Sequence, residues 1–230
     1  AWYEIVGEIP ASADDYMPVI QTGLTAENTP FDRMFTVKAD VSFKNIFIAN
    51  QTTTGEIAGY NIYCEDKVNL EVDGCMVDPV GRTSFIHGNE LTGGSKVHLT
   101  NNTLLRHGDE YGPNGGHLIW GVYADTMYIE NNSFISTDQD IINVSDVTDN
   151  IDFLWFNHNT VVFHDVRILP NRTLPEAYIT NNLYYDLTAY IQQHAWAAID
   201  PEHGTTGTYP SLARAISIDS ETLPSSRKQL

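Results

Sequence analysis

A short pattern, an apolar strand that ends in polar residues, returns six times along the chain. The copies can be aligned on one column of residues, which contains Ile46, Asp73, Asn102, Asn132, Asn159 and Asn182. Successive members of this column are 27, 29, 30, 27 and 23 residues apart. Regular repeats of about 20 to 50 residues indicate a solenoid or a propeller, because each copy must stack on its neighbours to bury an apolar face.

The columns on either side show the period of the pattern. Residues three before, five before and two after the aligned column are apolar, with Tyr184 as the one amphipathic exception, whereas those two before it are all polar. This alternation has a period of two residues, as expected of a β-strand with one face in a core and the other in solvent. Each copy is therefore predicted to contain such a strand.

The segments between the copies distinguish the kinds of solenoid. They are rich in Thr, Asn, Gly and Asp and contain no convincing run with helical period, which argues against a leucine-rich repeat. Several contain a second apolar stretch, at residues 62–64, 85–86, 118–122, 141–144 and 166–169. Two or three short strands per turn, joined by polar corners, predict an all-β parallel β-helix. Asn side chains stacked at one corner, about 4.8 Å apart, would form a hydrogen-bonded ladder, so we interpret these Asn residues as structural.

The stretches 99–105 (LTNNTLL) and 129–135 (IENNSFI) resemble the corner-and-strand pattern of the right-handed parallel β-helix proteins in the pectate-lyase-like superfamily. The resemblance covers roughly residues 17–187. It implies a single-stranded right-handed β-helix, and about seven coils would make a rod about 33 Å long. It implies no single activity, because the superfamily includes polysaccharide lyases, glycoside hydrolases, esterases, phage tailspikes, adhesins and proteins that are not enzymes.

The even repeat predicts a single domain over residues 1–230, with regular coils over 36–187. A β-helix exposes unpaired strand edges at both ends and needs caps against end-to-end association. Residues 1–35 are predicted to form an N-terminal coil or cap, and residues 188–230 a C-terminal cap or packing tail. The tail lacks the repeated pattern and is punctuated by Pro and Gly.

The chain is strongly acidic, with 30 Asp and Glu against 12 Lys and Arg and a formal net charge of −18. Such a surface repels nucleic acid and anionic membranes, and it disfavours a polyanionic glycan unless calcium or a local basic patch screens the charge. Solubility in salty water explains the charge equally well. No apolar run approaches the roughly 20 residues that a membrane helix needs.

The cysteine content and the first residues bear on cellular location. Cys64 and Cys75 are predicted to be small buried hydrophobes rather than a disulfide. The chain begins at Ala1 within what reads as a strand, so we expect its natural start to have been removed or cropped. Together with the superfamily resemblance, this predicts a secreted or cell-surface protein, with other domains of a longer parent chain as further partners.

Outward positions that stack from coil to coil form the first candidate site. Four residues before the aligned column lie His98, Tyr128, Trp155 and Tyr178, four rings in succession. The C–H faces of sugar rings pack on aromatic rings, so this column predicts a platform for a polysaccharide or oligosaccharide. The alternative is that the C-terminal tail or a long loop covers the rings and forms a second small core.

The second candidate site combines His87, His117 and Arg167, each 15 residues before its corner Asn. The shared phase predicts His87 and His117 on neighbouring coils, with Arg167 two coils further on and Asp140 beside the same band. One such group could remove the C5 proton of a uronide while another protonates the leaving oxygen, and Arg167 would neutralise the carboxylate. The resemblance implies the same division of labour among Lys, Arg, His or Tyr. Chance or simple stacking of surface histidines would produce the same phase.

Asp138 and Asp140 support two further interpretations. They resemble the acidic motif of the polygalacturonase branch, although the later motifs of that branch are absent from the sequence. Inverting hydrolysis needs two carboxyl groups about 6.5–9.5 Å apart, which neighbouring coils could provide. The same carboxylates, in the densest acidic stretch of the chain, could instead bind Ca²⁺. Asp is also common at β corners because it bonds its own backbone.

The sequence thus predicts an extracellular glycan-active protein that acts by β-elimination in a groove along the β-helix, with His117 as the proton-transfer residue and His87 as its neighbour. The competing hypothesis is a non-catalytic carbohydrate-binding or adhesin-type module that uses Tyr128, Trp155 and Tyr178 as its platform. A glycoside hydrolase and a repeat spacer within a larger protein are the remaining alternatives.

Overall fold

The computed structural model describes residues 3–6, 17–29, 31–51, 57–65, 67–81, 83–88, 95–107, 117–120, 124–137, 141–143, 151–164 and 176–185. Within these ranges the chain forms strands joined by turns and irregular segments, and none of them contains a helix that could span a membrane. The strands, β1 to β19 in chain order, belong to three sheets.

Two of the sheets have seven described strands each. Sheet A contains, in spatial order, β1 (Tyr3–Val6), β4 (Val41–Lys44), β7 (Asn69–Asp73), β10 (Lys96–Thr100), β13 (Ala124–Glu130), β16 (Ile151–Asn157) and β18 (Glu176–Thr180). Sheet B contains β2 (Val19–Gln21), β5 (Phe47–Ala49), β8 (Met76–Val77), β11 (Thr103–His107), β14 (Ser133–Thr137), β17 (Thr160–His164) and β19 (Leu183–Tyr185).

The third sheet, sheet C, has five described strands. They are β3 (Arg33–Val37), β6 (Tyr60–Cys64), β9 (Ser84–His87), β12 (His117–Trp120) and β15 (Ile142–Asn143). The chain passes from sheet A to sheet B to sheet C and then returns to sheet A one strand further along, and the paired strands are parallel. This path is that of a parallel β-solenoid, which confirms the predicted all-β solenoid.

Strands continue into the segment that was predicted to be an N-terminal coil or cap. Within residues 1–35, β1 pairs with β4 and β2 pairs with β5, and β3, which begins at Arg33, pairs with β6. These residues therefore extend the sheets in the same register as the later copies. The predicted C-terminal cap, residues 188–230, lies outside the described residues.

Stacked columns of apolar side chains fill the interior. One residue from each of the five inner strands of sheet B forms such a column, and its members are fully buried: Ile48, Val77, Leu104, Phe134 and Val161. The corresponding column of sheet A contains Phe43, Val72, Leu99, Ile129 and Phe156, each at most 1% exposed. Burial of one such side chain stabilises the fold by about 1.5–3 kcal/mol, so the columns supply the main driving force.

A tight turn joins each of the sheet A strands β4, β7, β10, β13, β16 and β18 to the following strand of sheet B. Its first residue has a left-handed backbone, with φ between 52° and 63° at Asn45, Gly74, Asn101, Asn131, His158 and Asn181. Glycine adopts this conformation without steric cost, and Asn tolerates it better than most residues because its short polar side chain can bond locally. The first Asn of each repeated Asn pair is therefore explained by backbone geometry.

The second residue of the turn forms the predicted ladder. Nδ2 of Asn102 donates to Oδ1 of Asn132 at 3.0 Å, and the same contact joins Asn132 to Asn159 and Asn159 to Asn182 at 3.1 Å. The four side chains are buried. Each Nδ2 also donates to a backbone carbonyl of the preceding turn, so the buried amides are satisfied. The structural interpretation of these residues is confirmed.

The alignment that places Asp73 in the ladder column is wrong by two residues. Asp73 pairs with Thr100, so Cys75 lies opposite Asn102, and the backbone N–H of Cys75 donates to Oδ1 of Asn102 at 2.9 Å. A shift of two residues keeps each side chain on the same face of its strand. The neighbouring columns therefore stayed apolar in spite of the error.

Both cysteines are free and buried, as predicted. Burial raises the pKa of the Cys64 thiol to about 12, and burial likewise raises the pKa of Cys75. Neither thiol is a nucleophile near neutral pH, since the thiolate is the reactive form.

Candidate functional site

The outer face of sheet A carries the predicted aromatic column in register. Tyr128 pairs with His98 on one side and with Trp155 on the other, and Trp155 pairs with Tyr178. The strands alternate inward apolar residues with these outward rings because the side-chain period of a strand is two. The structure therefore brings together all four residues that the sequence grouped.

The rings form a connected, partly open surface. The centroids of His98 and Tyr128 are 4.7 Å apart, and those of Trp155 and Tyr178 are 5.7 Å apart. Tyr178 is 45% exposed, and Tyr128 and Trp155 are half-buried. Part of the surface of Tyr178 is therefore accessible to solvent, whereas the C-terminal tail of the alternative hypothesis lies outside the described residues.

Phe153 belongs to the same surface, and the sequence analysis missed it. Its ring lies 5.4 Å from that of Tyr128 and 5.8 Å from that of Tyr178. Phe153 precedes Trp155 by two residues on β16, so the period of a strand places both on the outer face. The two-residue spacing from Trp155 could therefore have identified Phe153 from the sequence.

Polar groups flank the rings on one side. Nδ2 of Asn157 donates to Oε1 of Glu130 at 2.9 Å, and Oγ1 of Thr180 donates to Oδ1 of Asn157 at 2.8 Å. In the turns before His98, Ser42 donates to Glu71 at 2.9 Å, and Lys44 forms ion pairs with Glu71 and Glu4. Amides, hydroxyls and carboxylates beside aromatic rings are the groups that orient a hydroxylated ligand.

The surroundings of His98 favour the neutral form of its imidazole. Burial lowers the pKa of His98, and the Lys96 ammonium lowers it further, while the Glu71 carboxylate opposes both effects. A neutral imidazole has one donor and one acceptor nitrogen. His98 therefore provides hydrogen bonds rather than positive charge.

The register of sheet C differs from the one predicted for the two histidines. Trp120, not His117, pairs with His87, whereas His117 pairs with Ser84. The inward column that fixes this register contains Ile86 and Ile119, whereas the predicted outward position of His117 would require its neighbour Leu118 to point inward. Because Leu118 and Ile119 are both fully buried, the pattern alone could not distinguish them.

The rings of both histidines nevertheless lie close to the ring of Trp120. The ring centroid of Trp120 is 5.4 Å from that of His87 and 5.6 Å from that of His117. His87 also stacks on Tyr63 at 4.6 Å and lies 4.9 Å from Tyr60. Tyr63 pairs with His87 in the sheet, so the correct register would have placed Tyr63, His87 and Trp120 in one row.

His87 is poorly suited to proton abstraction near neutral pH. It is only 5% exposed, and its Nδ1 is buried without a hydrogen-bond partner. Burial lowers the pKa of His87 to about 4, and the neighbouring Arg33 guanidinium adds to this effect. A general base works best when its pKa lies near the operating pH. His117 is similarly buried, at 6% exposure.

Arg33 is a member of this cluster that the sequence analysis did not identify. Its Cζ lies 3.4 Å from the centroid of the Tyr63 ring, and its Nη1 donates to Oε1 of Glu65 at 2.6 Å. Lys38 forms a second ion pair with Glu65 at 2.8 Å. A hydrogen bond from Lys38 lowers the pKa of the Glu65 carboxyl, and Arg33 contributes to the same shift. With Asp32, whose Oδ2 lies 3.7 Å from Nε of Arg33, the cluster contains two positive and two negative side chains.

Three predicted site residues, Arg167, Asp138 and Asp140, lie outside the described residues. The structure therefore does not place the carboxylate-neutralising arginine, the hydrolytic carboxylates or the calcium ligands of the sequence hypotheses. Among the residues that the structure does describe, no three His, Cys, Asp or Glu side chains converge in a way that could hold a metal ion.

Comparisons with protein-family models, with curated proteins and with solved structures find no match for this chain. The site is thus interpreted from its own geometry.

Proposed function

We propose that this β-solenoid binds a polysaccharide or oligosaccharide on the outer face of sheet A. The observation that carries the proposal is the in-register row of His98, Tyr128, Trp155 and Tyr178, in which the last ring is 45% exposed. Parallel strands repeat about every 4.8 Å, so the rings form a platform that runs along the solenoid axis. An extended chain of sugar rings can pack its C–H faces along such a platform.

The charges beside the platform favour a neutral glycan. Glu71 and Glu130 carry carboxylates along it, and the chain as a whole has a formal net charge of −18. A polymer of uronic acids would be repelled by this field, whereas hydroxyl groups can bond to carboxylates, amides and threonine hydroxyls alike. Glycan partners and an extracellular location are both part of the proposal.

Affinity electrophoresis against a panel of neutral and acidic polysaccharides tests this function. Trp155→Ala and Tyr178→Ala should each weaken binding of the recognised glycan about tenfold, because an aromatic contact contributes roughly 1–2 kcal/mol. Leu183→Ala is the matched control, since Leu183 is 49% exposed but belongs to sheet B. Equal binding by wild type and both aromatic variants would contradict the proposal, as would loss of binding in the control.

The finer architecture belongs to the same proposal. We take the protein to be a right-handed β-helix of about seven coils with capping segments, similar to the pectate-lyase-like superfamily. The seven described strands in each of sheets A and B, and the Asn ladder at their shared corner, support this assignment. A covered end is also what a solenoid with unpaired edge strands requires.

A lyase is the second candidate, and the contact of His87 and His117 with Trp120 favours it. In that case His117 would transfer the proton, and Arg167 and Asp140 would complete the site. Incubation with acidic polysaccharides, followed by detection of unsaturated products, distinguishes a lyase from a binding module. Products that persist in His117→Gln would show that His117 is not the proton-transfer residue.

A further inference from the structure

We propose that a cavity at the start of the solenoid is a second binding site, specific for a single neutral sugar ring. The cavity has a volume of about 310 Å³ and lies between β2 and β3, where sheets B and C begin. Its walls include Ile20, Thr22, Gly23, Phe31 and Arg33. None of these residues belongs to sheet A, so this site is separate from the aromatic platform.

Thr22 contributes a buried hydroxyl group to the wall of the cavity. Its side chain is only 7% exposed, and Oγ1 is buried without a hydrogen-bond partner. A buried hydroxyl without a partner destabilises the folded protein, so native structures seldom keep one without a reason. Thr22 lines the cavity, and a change of χ1 rotamer on binding would turn the hydroxyl towards a ligand there. A ligand hydroxyl would satisfy it.

Phe31 supplies an apolar wall. It is 50% exposed, which is unusual for a large aromatic side chain. A Cβ built on Gly23 would lie 3.5 Å from Cε2 of Phe31, an ordinary van der Waals distance, so the ring packs beside the backbone of Gly23. The C–H face of a sugar ring could stack on the opposite face of Phe31.

The charge around Arg33 indicates a neutral ligand. The guanidinium already has two carboxylate neighbours, since Nε lies 3.7 Å from Asp32 and Nη1 lies 2.6 Å from Glu65. Lys38 also pairs with Glu65, so the group contains two positive and two negative charges, and no net positive charge remains to attract an acidic ligand. The remaining guanidinium donors can still bond to hydroxyl groups, because Arg carries five N–H groups.

The size of the cavity restricts the ligand further. Pockets for small ligands range from about 300 to 1,000 Å³, and this one lies at the lower limit. One apolar wall, a hydroxyl, a guanidinium and the carboxamide of Gln21 suit one pyranose with several hydroxyl groups. They do not suit a longer oligosaccharide enclosed in the cavity.

Titration of the ¹⁵N-labelled protein with methyl α-glucoside, methyl α-galactoside, methyl α-mannoside and glucuronate tests the proposal by NMR. At least one neutral glycoside should produce saturable shifts of the backbone amides of Thr22 and Gly23, and glucuronate should bind about tenfold more weakly. The indole N–H of Trp155 reports on the platform separately. Shifts at Trp155 alone would overturn the cavity site and leave the platform intact, whereas shifts at Gly23 alone would support the cavity site.

Three variants make the test specific. Thr22→Val and Phe31→Ala should each weaken binding of the neutral glycoside about tenfold. Val19→Ala, on β2 but not among the cavity residues, should leave affinity unchanged although Val19 is 55% exposed. Without ligand, Thr22→Val should be at least as heat-stable as wild type, because it removes an unpartnered hydroxyl. Unchanged affinity in Thr22→Val or Phe31→Ala, or a less stable unliganded Thr22→Val, would overturn the assignment.

Discussion

The Sγ of Cys75 donates to the backbone carbonyl of Phe43 at 3.5 Å. An Asn amide makes the corresponding hydrogen bond in each of the next four turns. In those turns, Nδ2 of Asn102, Asn132, Asn159 and Asn182 donates to the carbonyls of Val72, Leu99, Ile129 and Phe156. The thiol is only a weak donor and a weak acceptor, whereas an Asn amide provides a strong donor and a strong acceptor. The ladder therefore stops at Cys75 for a chemical reason.

Removal of a ladder residue should be costly. In Asn132→Ala, the backbone N–H and Nδ2 of Asn102 lose their acceptor, and the carbonyl of Leu99 loses a donor. Since each buried group left unpaired costs about 1–3 kcal/mol, we expect a loss of about 3 kcal/mol in the free energy of unfolding, measured in urea. Asn131→Gly, at the exposed left-handed position next to it, should change that free energy by less than about 0.5 kcal/mol. Similar losses in both variants would argue against the ladder as the stabilising element.

Extension of the ladder should be possible at Cys75. In Cys75→Asn, Nδ2 can donate to the carbonyl of Phe43 and to Oδ1 of Asn102, and the free energy of unfolding should stay constant or rise by up to about 1 kcal/mol. Cys75→Asp is the matched control, because it has the same shape but no donor and adds a buried charge. It should be destabilised by about 2 kcal/mol or more. The midpoints of urea unfolding of the two variants test this prediction. Equal midpoints would contradict a stabilising role for the amide donor.

Acid should destabilise the fold partly through His87. Its pKa falls from 6.5 to about 4 in the folded protein, chiefly because of burial, so the unfolded chain binds this proton first as the pH falls. The contribution of His87 to stability should be complete above about pH 6.5 and should be lost progressively towards pH 4. Melting temperatures across this range should fall less steeply in His87→Gln than in wild type. Tyr63→Phe, which keeps the imidazole, should retain the wild-type slope, and identical slopes in all three proteins would refute the assignment.

Gly74 should tolerate Asn better than Ala. Its φ of +63° belongs to the left-handed region, and an added Cβ would lie 2.5 Å from Oδ1 of Asn45, a side chain that can move. Both variants meet that contact, but only Ala has no local hydrogen bond to offset the left-handed strain of about 1–2 kcal/mol. We expect Gly74→Ala to lose about 1–2 kcal/mol in urea unfolding and Gly74→Asn to lose less. A larger loss in Gly74→Asn would show that the contact with Asn45, rather than the backbone conformation, limits this position.

Sequence reasoning succeeded where a position repeats in every turn. The Asn residues at 102, 132, 159 and 182 share one environment four times, so chance could not account for them. The same repetition grouped His98, Tyr128, Trp155 and Tyr178 on one face before the strands were known. It failed on sheet C, where Leu118 and Ile119 are both buried and the alternation that fixes register is interrupted.

By itself, then, the sequence determined the parallel solenoid, the inward columns, the Asn corner and the outer row of rings on sheet A. These features follow from a strand period of two residues and from stacking at one strand spacing. Both regularities are visible in the order of residues along the chain. Only the tertiary structure decided that the rings of His87 and His117 both lie close to Trp120, that Arg33 packs on Tyr63, and that a cavity opens beside Thr22 and Phe31. Those contacts depend on the register between turns and on the path of the connections. Residues far apart in the chain determine both the register and the path, so no local sequence pattern predicts these contacts.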